Sequence, residues 1–288
     1  TLDEEHSTRG RANALRAVLS GKVPKEEFAG KRLYEVLDLC LECKACKAEC
    51  PSNVDMAKLK YEFLSHYYRT NGLPLRNRLF GGIEKLNRWG SRLAPLSNWL
   101  ANSRPNRWLL ERFAGIARRR PLPSFAEQTF VDWFRSHSFE GKELRGEVVL
   151  FHDTFNTFNT PSTAIAATRF LEHAGYRVML ADKKCCGRPM ISKGMLKEAR
   201  DHAAWNVERL SPYAERDISI VGLEPSCLLT IRDEYPDFLR SERARLVARQ
   251  SFLLEEFLLR ERDAGKLSLN FKSNGKKALL HGHCHQKA

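Results

Sequence analysis

Four closely spaced cysteines constrain this chain more than any other feature of its sequence. They follow the pattern Cys-x2-Cys-x2-Cys-x3-Cys-Pro, and they are Cys40, Cys43, Cys46 and Cys50. Three thiolates at this spacing can surround one corner of a cubic iron–sulfur cluster, and the proline after the fourth cysteine ends the local helix. Structural zinc sites instead use two cysteine pairs that about a dozen or more residues separate. The pattern therefore predicts ligands of a 4Fe-4S cluster.

The fourth cysteine leaves the number of clusters open. In bacterial ferredoxins with two clusters, the fourth cysteine of one run binds the other cluster. The sequence contains no second run of this kind, so further ligands are expected upstream of Thr1. The chain begins without methionine and is interpreted as a segment of a longer protein. A single cluster held by all four cysteines is the alternative.

The composition is that of an ordinary globular protein. With 288 residues, of which 42% are hydrophobic, the chain can fill conventional cores without disulfides. It contains no run of about 18 apolar residues and no secretory signal, so we expect a cytoplasmic protein, and association with the inner face of the plasma membrane stays open. Cytosolic thiols remain reduced, so the eight cysteines favour metal or redox chemistry.

A basic segment accounts for most of the net charge of +13. Residues 75–120 contain eleven Lys or Arg and two Glu, together with three of the five tryptophans. Apolar residues recur there at helical spacing, at Ile83, Leu86, Trp89 and Leu93. The segment predicts short helices that pack on a neighbouring domain. Contact with an anionic membrane surface or an acidic partner is the alternative.

The sequence on either side of this segment differs in its pattern. Apolar residues at helical spacing predict helices throughout residues 1–74. From residue 147 onwards, short apolar strands alternate with helices, which is typical of a parallel sheet with helices on its faces. One long charged helix is predicted over residues 241–262, and strands are predicted at residues 148–151, 176–181, 218–223 and 278–280.

A second group of cysteines follows the predicted strands. Cys185 and Cys186 come after one strand, and Cys227 comes after the next, at a predicted helix start. Unpaired backbone N–H groups at a helix start favour the thiolate form of a cysteine. The group is interpreted as a metal or redox site, and buried thiols that only fill space are the alternative.

The last residues of the chain repeat part of the first predicted strand. Residues 279–284 align with residues 148–153, which places Cys284 opposite Asp153. These positions fall at a strand's end, where parallel sheets place ligands. We therefore expect the start of a truncated second copy at residues 271–288, with Cys284 as a further candidate metal ligand.

Several phrases of the sequence resemble known families. Cys185-Cys186-Gly187 with a downstream cysteine resembles the cysteine-rich CCG domain of heterodisulfide reductase B-type subunits and of the iron–sulfur subunits of glycolate and glycerol-3-phosphate dehydrogenases. A narrower resemblance, to the C-terminal half of bacterial FAD-linked oxidases of the D-2-hydroxyglutarate dehydrogenase type, covers nearly the whole chain. The phrases that carry it are Glu5–Asn13, Cys50–Met56, Asp153–Phe155, Cys186–Pro189, Glu224–Cys227 and His283–Lys287.

The resemblance implies an α+β multidomain fold. Its expected parts are a helical 4Fe-4S ferredoxin-like domain at residues 1–74, a basic helical connector at 75–145, a cysteine-rich CCG α/β domain at 146–270, and the start of a truncated second CCG repeat at 271–288.

The resemblance also implies an oxidoreductase. In the family, an FAD-binding half precedes such a segment in the same polypeptide. Electrons would pass from FAD, reduced by a 2-hydroxy acid of the D-2-hydroxyglutarate or D-lactate type, through 4Fe-4S clusters to an external acceptor. No residue is a convincing acid, base or nucleophile, so no catalytic residue is assigned. A separate iron–sulfur subunit of a glycolate oxidase or heterodisulfide reductase type complex is the alternative.

Two other points qualify the expected function. Asp153 and Glu224 stand where related CCG domains have cysteines, so a non-cubane cluster of the heterodisulfide reductase kind is not expected. Asp153, Glu224 or His152 would instead complete a mixed iron or zinc site with the three remaining thiols.

The basic charge would also suit a zinc-bearing nucleic-acid binder. The spacing of the first four cysteines argues against that class, so no nucleic-acid partner is expected.

Overall fold

The computed structural model describes residues 3–141, 143–267 and 275–287, and the chain divides into two compact units. Unit 1 consists of residues 1–81, 189–199 and 280–288, and unit 2 consists of residues 82–188 and 200–279. The described residues are mostly helical and contain one small parallel sheet. This agrees with the predicted α+β class.

Unit 1 is built from helices that share an apolar core. Leu15, Leu37 and Phe63 are buried there together. Ser7 and Asp55 cap the first turns of two of the helices by accepting backbone N–H hydrogen bonds. The helices of this part of the chain are α1 (Thr8–Leu19), α2 (Lys31–Asp38), α3 (Ala45–Glu49), α4 (Met56–Asn71) and α5 (Leu75–Gly81).

Unit 2 begins with four short helices, the first three of which lie in the basic segment of residues 75–120. They are α6 (Ile83–Arg92), α7 (Leu96–Asn102), α8 (Arg104–Ala114) and α9 (Phe130–Ser136). Proline residues separate them, since Pro95 directly precedes α7 and Pro105 lies in the first turn of α8. None of the helices in the described parts of the chain has the length and apolar content that crossing a bilayer requires.

In α6, the apolar residues that recur at helical spacing are not the ones that pack inward. Trp89 and Leu93 are 61% and 58% exposed, and Leu86 is exposed as well. The helix instead buries its polar face, where Asn87 Nδ2 donates to Asn159 Oδ1 at 2.8 Å and Glu84 lies inward. Periodicity identifies the two faces of a helix, but specific hydrogen bonds have decided which of them packs inward.

The sheet of unit 2 is parallel and has the order β2-β1-β3-β4. Its described strands are β1 (Gly146–Phe151), β2 (Tyr176–Met179), β3 (Ser219–Gly222) and β4 (Ser251–Leu253). The register pairs Val148 of β1 with Val178 on one side and with Ser219 on the other. The central strands are buried on both faces, which explains their continuous apolar runs.

Helices cover both faces of this sheet. One face packs through Val148, Leu150 and Val221 against a core that includes Leu171 and Phe257. The other packs through Val149 and Ile220 against Leu210 and Leu228 among others. The helices of this region are α10 (Thr154–Phe158), α11 (Pro161–His173), α13 (Leu196–Ala214), α14 (Pro225–Leu239), α15 (Glu242–Arg249) and α16 (Leu254–Asp263). Two further helices, α12 (Arg188–Ile191) and α17 (Cys284–Lys287), lie almost entirely in unit 1.

Two predicted elements near the C-terminus are wrong. The single helix over residues 241–262 is interrupted by β4, because the backbone N–H of Ile220 donates to the carbonyl of Gln250 at 2.7 Å and draws this segment into the sheet. Such pairing overrides helix propensity. The strand predicted at residues 278–280 has no regular structure, and Leu279 and Leu280 are exposed. The expected repeat at 271–288 includes residues 271–274, which lie outside the described residues.

Ile220→Ala is expected to lower the free energy of unfolding of unit 2 by roughly 2–5 kcal/mol, because it leaves a cavity in the fully buried centre of β3. Urea unfolding followed by circular dichroism measures the change. Arg177→Ala is the control, since Arg177 is an exposed residue of the edge strand β2 and its loss should cost less than about 0.5 kcal/mol. Equal effects of the two substitutions would contradict this description of the core.

Candidate functional site

The predicted ligands lie in two groups, one in each unit. Cys40, Cys43, Cys46 and Cys50 lie in unit 1 with Cys284, whereas Cys185, Cys186 and Cys227 lie in unit 2. None of these cysteines forms a disulfide. Within the described ranges, no three or more His, Cys, Asp or Glu side chains are arranged to hold a metal ion. The assignment of these residues as metal ligands stays a prediction, and their surroundings show what each group is suited to do.

The four-cysteine loop of unit 1 turns sharply between its thiols. Glu42 and Lys44, on either side of Cys43, adopt left-handed backbone conformations with φ of 55° and 64°. Side chains other than glycine, asparagine and aspartate seldom take this conformation, so it marks a tightly specified turn. The loop begins just after α2, continues through the short helix α3 and ends at Cys50, and its four thiols are all half-buried.

Buried charges support the backbone of this loop. Lys60 Nζ donates to the carbonyl oxygens of Cys40 at 2.6 Å and of Asp38 at 3.2 Å. It also lies 3.8 Å from Glu42 Oε1, and the side chains of Lys60 and Glu42 are only 8% and 5% exposed. Lys44 is buried as well. These contacts fix the main chain on which the first two cysteines lie.

The thiol of Cys50 is predisposed to ionise. Backbone hydrogen bonds from Val54, Ser52 and Asn53 lower the pKa of Cys50. A thiolate is the form that binds iron, and backbone N–H groups directed at sulfur are a common means of stabilising iron–sulfur clusters. These features fit an iron–sulfur cluster. The candidate ligands are all thiols, backbone N–H groups are directed at the sulfur of Cys50, and the buried cation Lys60 supports the loop.

The C-terminal residues lie against this same loop. Helix α17 packs on α3 within unit 1, and His285 Nε2 forms a 2.9 Å hydrogen bond with the carbonyl oxygen of Glu42. Cys284 itself is exposed. The sequence indicated no relation between residues 281–287 and the first cysteine motif, because more than 200 residues of chain separate them. Whether Cys284 binds a metal as part of a second repeat remains a prediction.

The three thiols of unit 2 meet at the carboxyl end of the sheet. Cys185 and Cys186 follow β2, Cys227 lies in the first turn of α14 after β3, and all three are buried. The side chain of Cys186 is hydrogen-bonded to those of both Cys185 and Cys227. The structure therefore brings together the three cysteines that the sequence placed after different strands.

Polar side chains from the neighbouring helices fix the loop of Cys185 and Cys186. Asn206 of α13 accepts a hydrogen bond from the backbone N–H of Lys184 at 2.8 Å and donates to the carbonyl of Cys185 at 3.3 Å. The hydroxyl of Tyr235 donates to the carbonyl of Cys186 at 3.0 Å, and it accepts from Asn206 at 2.8 Å. Both side chains are fully buried, so this network leaves the loop little freedom.

Glu84 adds a contact that sequence reasoning missed. This residue lies on the buried polar face of α6, and its Oε2 accepts a hydrogen bond from the backbone N–H of Cys185 at 2.8 Å. The two residues are 101 positions apart, so no local spacing pattern connects them. Glu84 lies among the polar residues of the helix, away from the apolar spacing of Leu86 and Trp89, so no signal in the sequence indicated this contact.

The two carboxylates at the positions where the resemblance places cysteines cap helices. Asp153 Oδ1 accepts from the backbone N–H groups of Phe155 and Asn156 at 2.9 and 3.0 Å. Glu224 Oε2 accepts from the backbone N–H of Cys227 at 2.8 Å. Each carboxylate thus satisfies N–H groups at the start of α10 or α14. Binding a metal through these oxygens would compete with these hydrogen bonds, and the mixed-ligand site expected for these residues stays a prediction.

His152 is the third residue expected to complete a mixed site. It is buried, and its Nδ1 lies 3.0 Å from Thr157 Oγ1. Burial lowers the pKa of His152 well below its ordinary value, and the charge of Lys183 lowers it further. The imidazole is therefore neutral, which is the form that ligates metals.

The thiol of Cys227 is protonated, contrary to the expectation from its place at a helix start. The hydrogen bond with Cys186 lowers the pKa of Cys227, but burial and the carboxylates Asp153 and Glu224 outweigh it and raise the pKa to about 12. The pKa of Cys185 is raised by its hydrogen bond with Cys186 and by burial. Desolvation in this interior exceeds the effect of the helix start.

The chain is similar to components of several dehydrogenases. It is 30% identical over 222 residues to a subunit of the anaerobic glycerol-3-phosphate dehydrogenase of Escherichia coli, a match that spans 76% of this chain and 56% of that protein. It is 25% identical over 215 residues to the D-2-hydroxyglutarate dehydrogenase of Haemophilus influenzae, a match that spans 72% of this chain and 21% of that enzyme. These proteins are its relatives. The probable glycolate oxidase iron–sulfur subunit of Bacillus subtilis is 38% identical over 61 residues, or 21% of this chain.

The predicted resemblance to this group of oxidoreductases is confirmed. The chain spans about half the length of the glycerol-3-phosphate dehydrogenase subunit and about a fifth of the D-2-hydroxyglutarate dehydrogenase. No family model and no solved structure matches the chain.

In the iron-free chain at pH 8, iodoacetamide is expected to label Cys50 well before Cys227, because only a thiolate reacts and the pKa of Cys50 is lowered whereas that of Cys227 is about 12. Peptide mass spectrometry measures both rates. Labelling of Cys227 should accelerate as the pH rises towards 12.

The raised folded-state pKa of Cys227 also affects stability. Its protonated form contributes stability below the unfolded pKa of about 8.5, and this contribution is lost as the pH rises through the folded-state value.

Urea-unfolded chain, in which the thiols of Cys50 and Cys227 should react alike with iodoacetamide, is the control for the labelling experiment. Equal labelling rates in the folded chain would show that the thiol of Cys227 is accessible and ionised.

Proposed function

We propose that this chain is the iron–sulfur electron-transfer portion of a flavin-linked dehydrogenase that oxidises a 2-hydroxy acid of the D-2-hydroxyglutarate or D-lactate type. The observation that carries the proposal is the loop of Cys40, Cys43, Cys46 and Cys50, with its ferredoxin spacing, its left-handed turns and its buried supporting charges. The relatives support it, since one of them is named as an iron–sulfur subunit and others as D-2-hydroxyglutarate dehydrogenases.

The residues of this chain would divide the work between binding and support. When bound, a 4Fe-4S cluster supplies one-electron steps between a two-electron flavin and an acceptor. The four thiols of the loop would hold it as thiolates, and Cys50 already has a lowered pKa. Lys60 would support the loop through the hydrogen bond that it donates to the carbonyl oxygen of Cys40. The flavin would lie in a domain upstream in the same polypeptide.

A second arrangement has support of its own. The match to the glycerol-3-phosphate dehydrogenase subunit spans a larger share of that protein than the match to the D-2-hydroxyglutarate dehydrogenase spans of that enzyme. We therefore retain a separate electron-transfer subunit, paired with a flavin-binding partner, as the alternative to a fused domain.

The cysteine group in unit 2 is assigned a supporting role. Its thiols are buried, protonated and hydrogen-bonded to one another, and both nearby carboxylates cap helices. A metal bound at this position would have a structural role, and electron relay is assigned to the loop of unit 1, whose four thiols are half-buried.

Cys43→Ser in the complete enzyme is expected to abolish electron delivery to an external acceptor while substrate still reduces the flavin. Flavin reduction needs only the flavin-binding part, whereas reoxidation needs a ligand in this chain. Anaerobic stopped-flow measurements follow flavin bleaching and acceptor reduction separately. Transfer to the acceptor at the parental rate would contradict the relay assignment.

Cys186→Ser is the matched comparison in the same experiment. A buried hydroxyl in place of the thiol should lower stability by about 1–3 kcal/mol, and acceptor reduction should fall only in proportion to the folded protein. A folded Cys186→Ser enzyme that retains its metal yet blocks transfer would show that unit 2 holds a redox centre.

We also propose that α6, α7 and α8 associate with an anionic membrane surface. The inward polar face of α6 leaves Trp89 and Leu93 exposed, and Trp99, Trp108 and Phe113 of the next two helices are more than half exposed. Exposed arginines lie among them, and the guanidinium of Arg92 stacks 5.2 Å from the Trp89 ring. Exposed aromatic and basic side chains on neighbouring amphipathic helices are typical of segments that lie in the lipid headgroup region.

The chain is expected to co-sediment with phosphatidylglycerol vesicles at low salt, and less at high salt, because both burial of the aromatic rings and attraction to anionic lipid contribute. Trp99→Ser should weaken binding without affecting folding, since Trp99 is 70% exposed. Leu259→Ser removes an exposed apolar side chain of α16 and is the control. Equal binding by both variants, or strong binding to neutral vesicles alone, would contradict the proposal.

A further inference from the structure

A lysine ammonium group is buried directly behind the first cysteine loop. Nζ of Lys60 is within hydrogen-bond distance of two backbone carbonyls, and one of them belongs to Cys40. Its nearest carboxylate, Glu42, is 3.8 Å away and belongs to the loop itself. A buried cation ordinarily needs close compensation, because desolvation of a charge is costly. The two carbonyl dipoles and the carboxylate of Glu42, which is at the limit of ion-pair distance, provide only part of this compensation.

Other cations surround the same position in unit 1. Burial lowers the pKa of Lys193, the carboxylates of Glu42 and Asp38 oppose this change, and the charges of Arg76 and Lys60 add to it. Lys44 is also buried on the loop. The charges that act on one another here are three cations, Lys60, Lys193 and Arg76, and two carboxylates, Glu42 and Asp38. An anion at the thiols would balance this excess, and a cubane held by thiolates is negatively charged.

We propose that Lys60 is a positioning residue that raises the reduction potential of the cluster on the four-cysteine loop. This inference rests on the proposed function, which places a cluster there. Reduction adds one electron and so one negative charge to the cluster. A fixed, poorly hydrated positive charge near the cluster stabilises the reduced form more than the oxidised form. The hydrogen bond to the Cys40 carbonyl keeps that charge at a constant position relative to the first ligand.

Glu42 has the opposite expected effect. Its carboxylate is as buried as Lys60 and lies between Cys40 and Cys43 in the sequence. A buried negative charge disfavours the reduced cluster. Replacing Lys60 and replacing Glu42 should therefore shift the reduction potential in opposite directions. A merely structural role of the ion pair would give shifts in the same direction.

The test is an anaerobic potentiometric titration of the iron-reconstituted chain, monitored by electron paramagnetic resonance of the reduced cluster. Lys60→Met should lower the ratio of reduced to oxidised cluster about tenfold at a given applied potential, which is about 59 mV for a one-electron couple. Glu42→Gln should raise the ratio. Lys60→Arg keeps the charge and should remain close to the parent.

Lys31→Met is the matched control. Lys31 lies in the same unit, but its side chain is 84% exposed and pairs with Glu35 at 3.7 Å, so solvent screens its charge. Its replacement should leave the potential unchanged, and a shift as large as that of Lys60→Met would overturn the proposal by showing that total charge is sufficient.

Iron and acid-labile sulfide content separate this inference from the proposed function. A parent chain that binds no iron overturns the proposed function and the inference with it. Iron retained in Lys60→Met with an unchanged potential overturns the inference alone. If Lys60→Met folds but loses its cluster, a role of Lys60 in positioning the loop is supported. Glu42→Gln then tests the effect of charge on the reduction potential. An unchanged or lowered potential in that variant overturns the proposed effect.

Discussion

Hydrogen bonding of irregular backbone is the constraint on which both cysteine groups depend. A thiol on a loop has a defined position only if the loop's carbonyl and N–H groups have partners, and such loops have no helix or sheet ladder to supply them. In unit 1 the partner is Lys60, which binds the carbonyl of Cys40. In unit 2 the partners are Asn206, Tyr235 and Glu84. In each case a buried polar side chain from a regular helix holds the loop.

The same constraint gives the two groups different chemistry. The loop of unit 1 is held from one side by a cation, and its thiols remain half-buried. The loop of unit 2 is enclosed between helices, so its thiols lose hydration and retain their protons. Similar residue types thus acquire different properties through the charge and hydration of what surrounds them. This difference is the reason for assigning relay to the first group and support to the second.

Local patterns predicted the parts of the molecule that local interactions determine. The cysteine spacing, the helices of unit 1 and three strands of the sheet could be read from consecutive residues. The strand at Ser251–Leu253 could not, because pairing with β3 decides it. The contact of Glu84 with Cys185 joins residues 101 positions apart. The burial of the polar face of α6 depends on partners such as Asn159, which its own periodicity does not reveal.

In α6, the side chains that attach the helix to its unit are not the ones that determine what its outer surface can contact. Asn87, Ser91 and the small Gly90, which lies against the ring of Phe125, attach the helix to its unit, whereas Trp89 and Leu93 are mostly exposed. Substitutions at Trp89 or Leu93 would therefore change what the surface adheres to at little cost to folding. Changes on the outer face would alter what this helix can contact, while the inner face, and with it the loop held by Glu84, would stay the same.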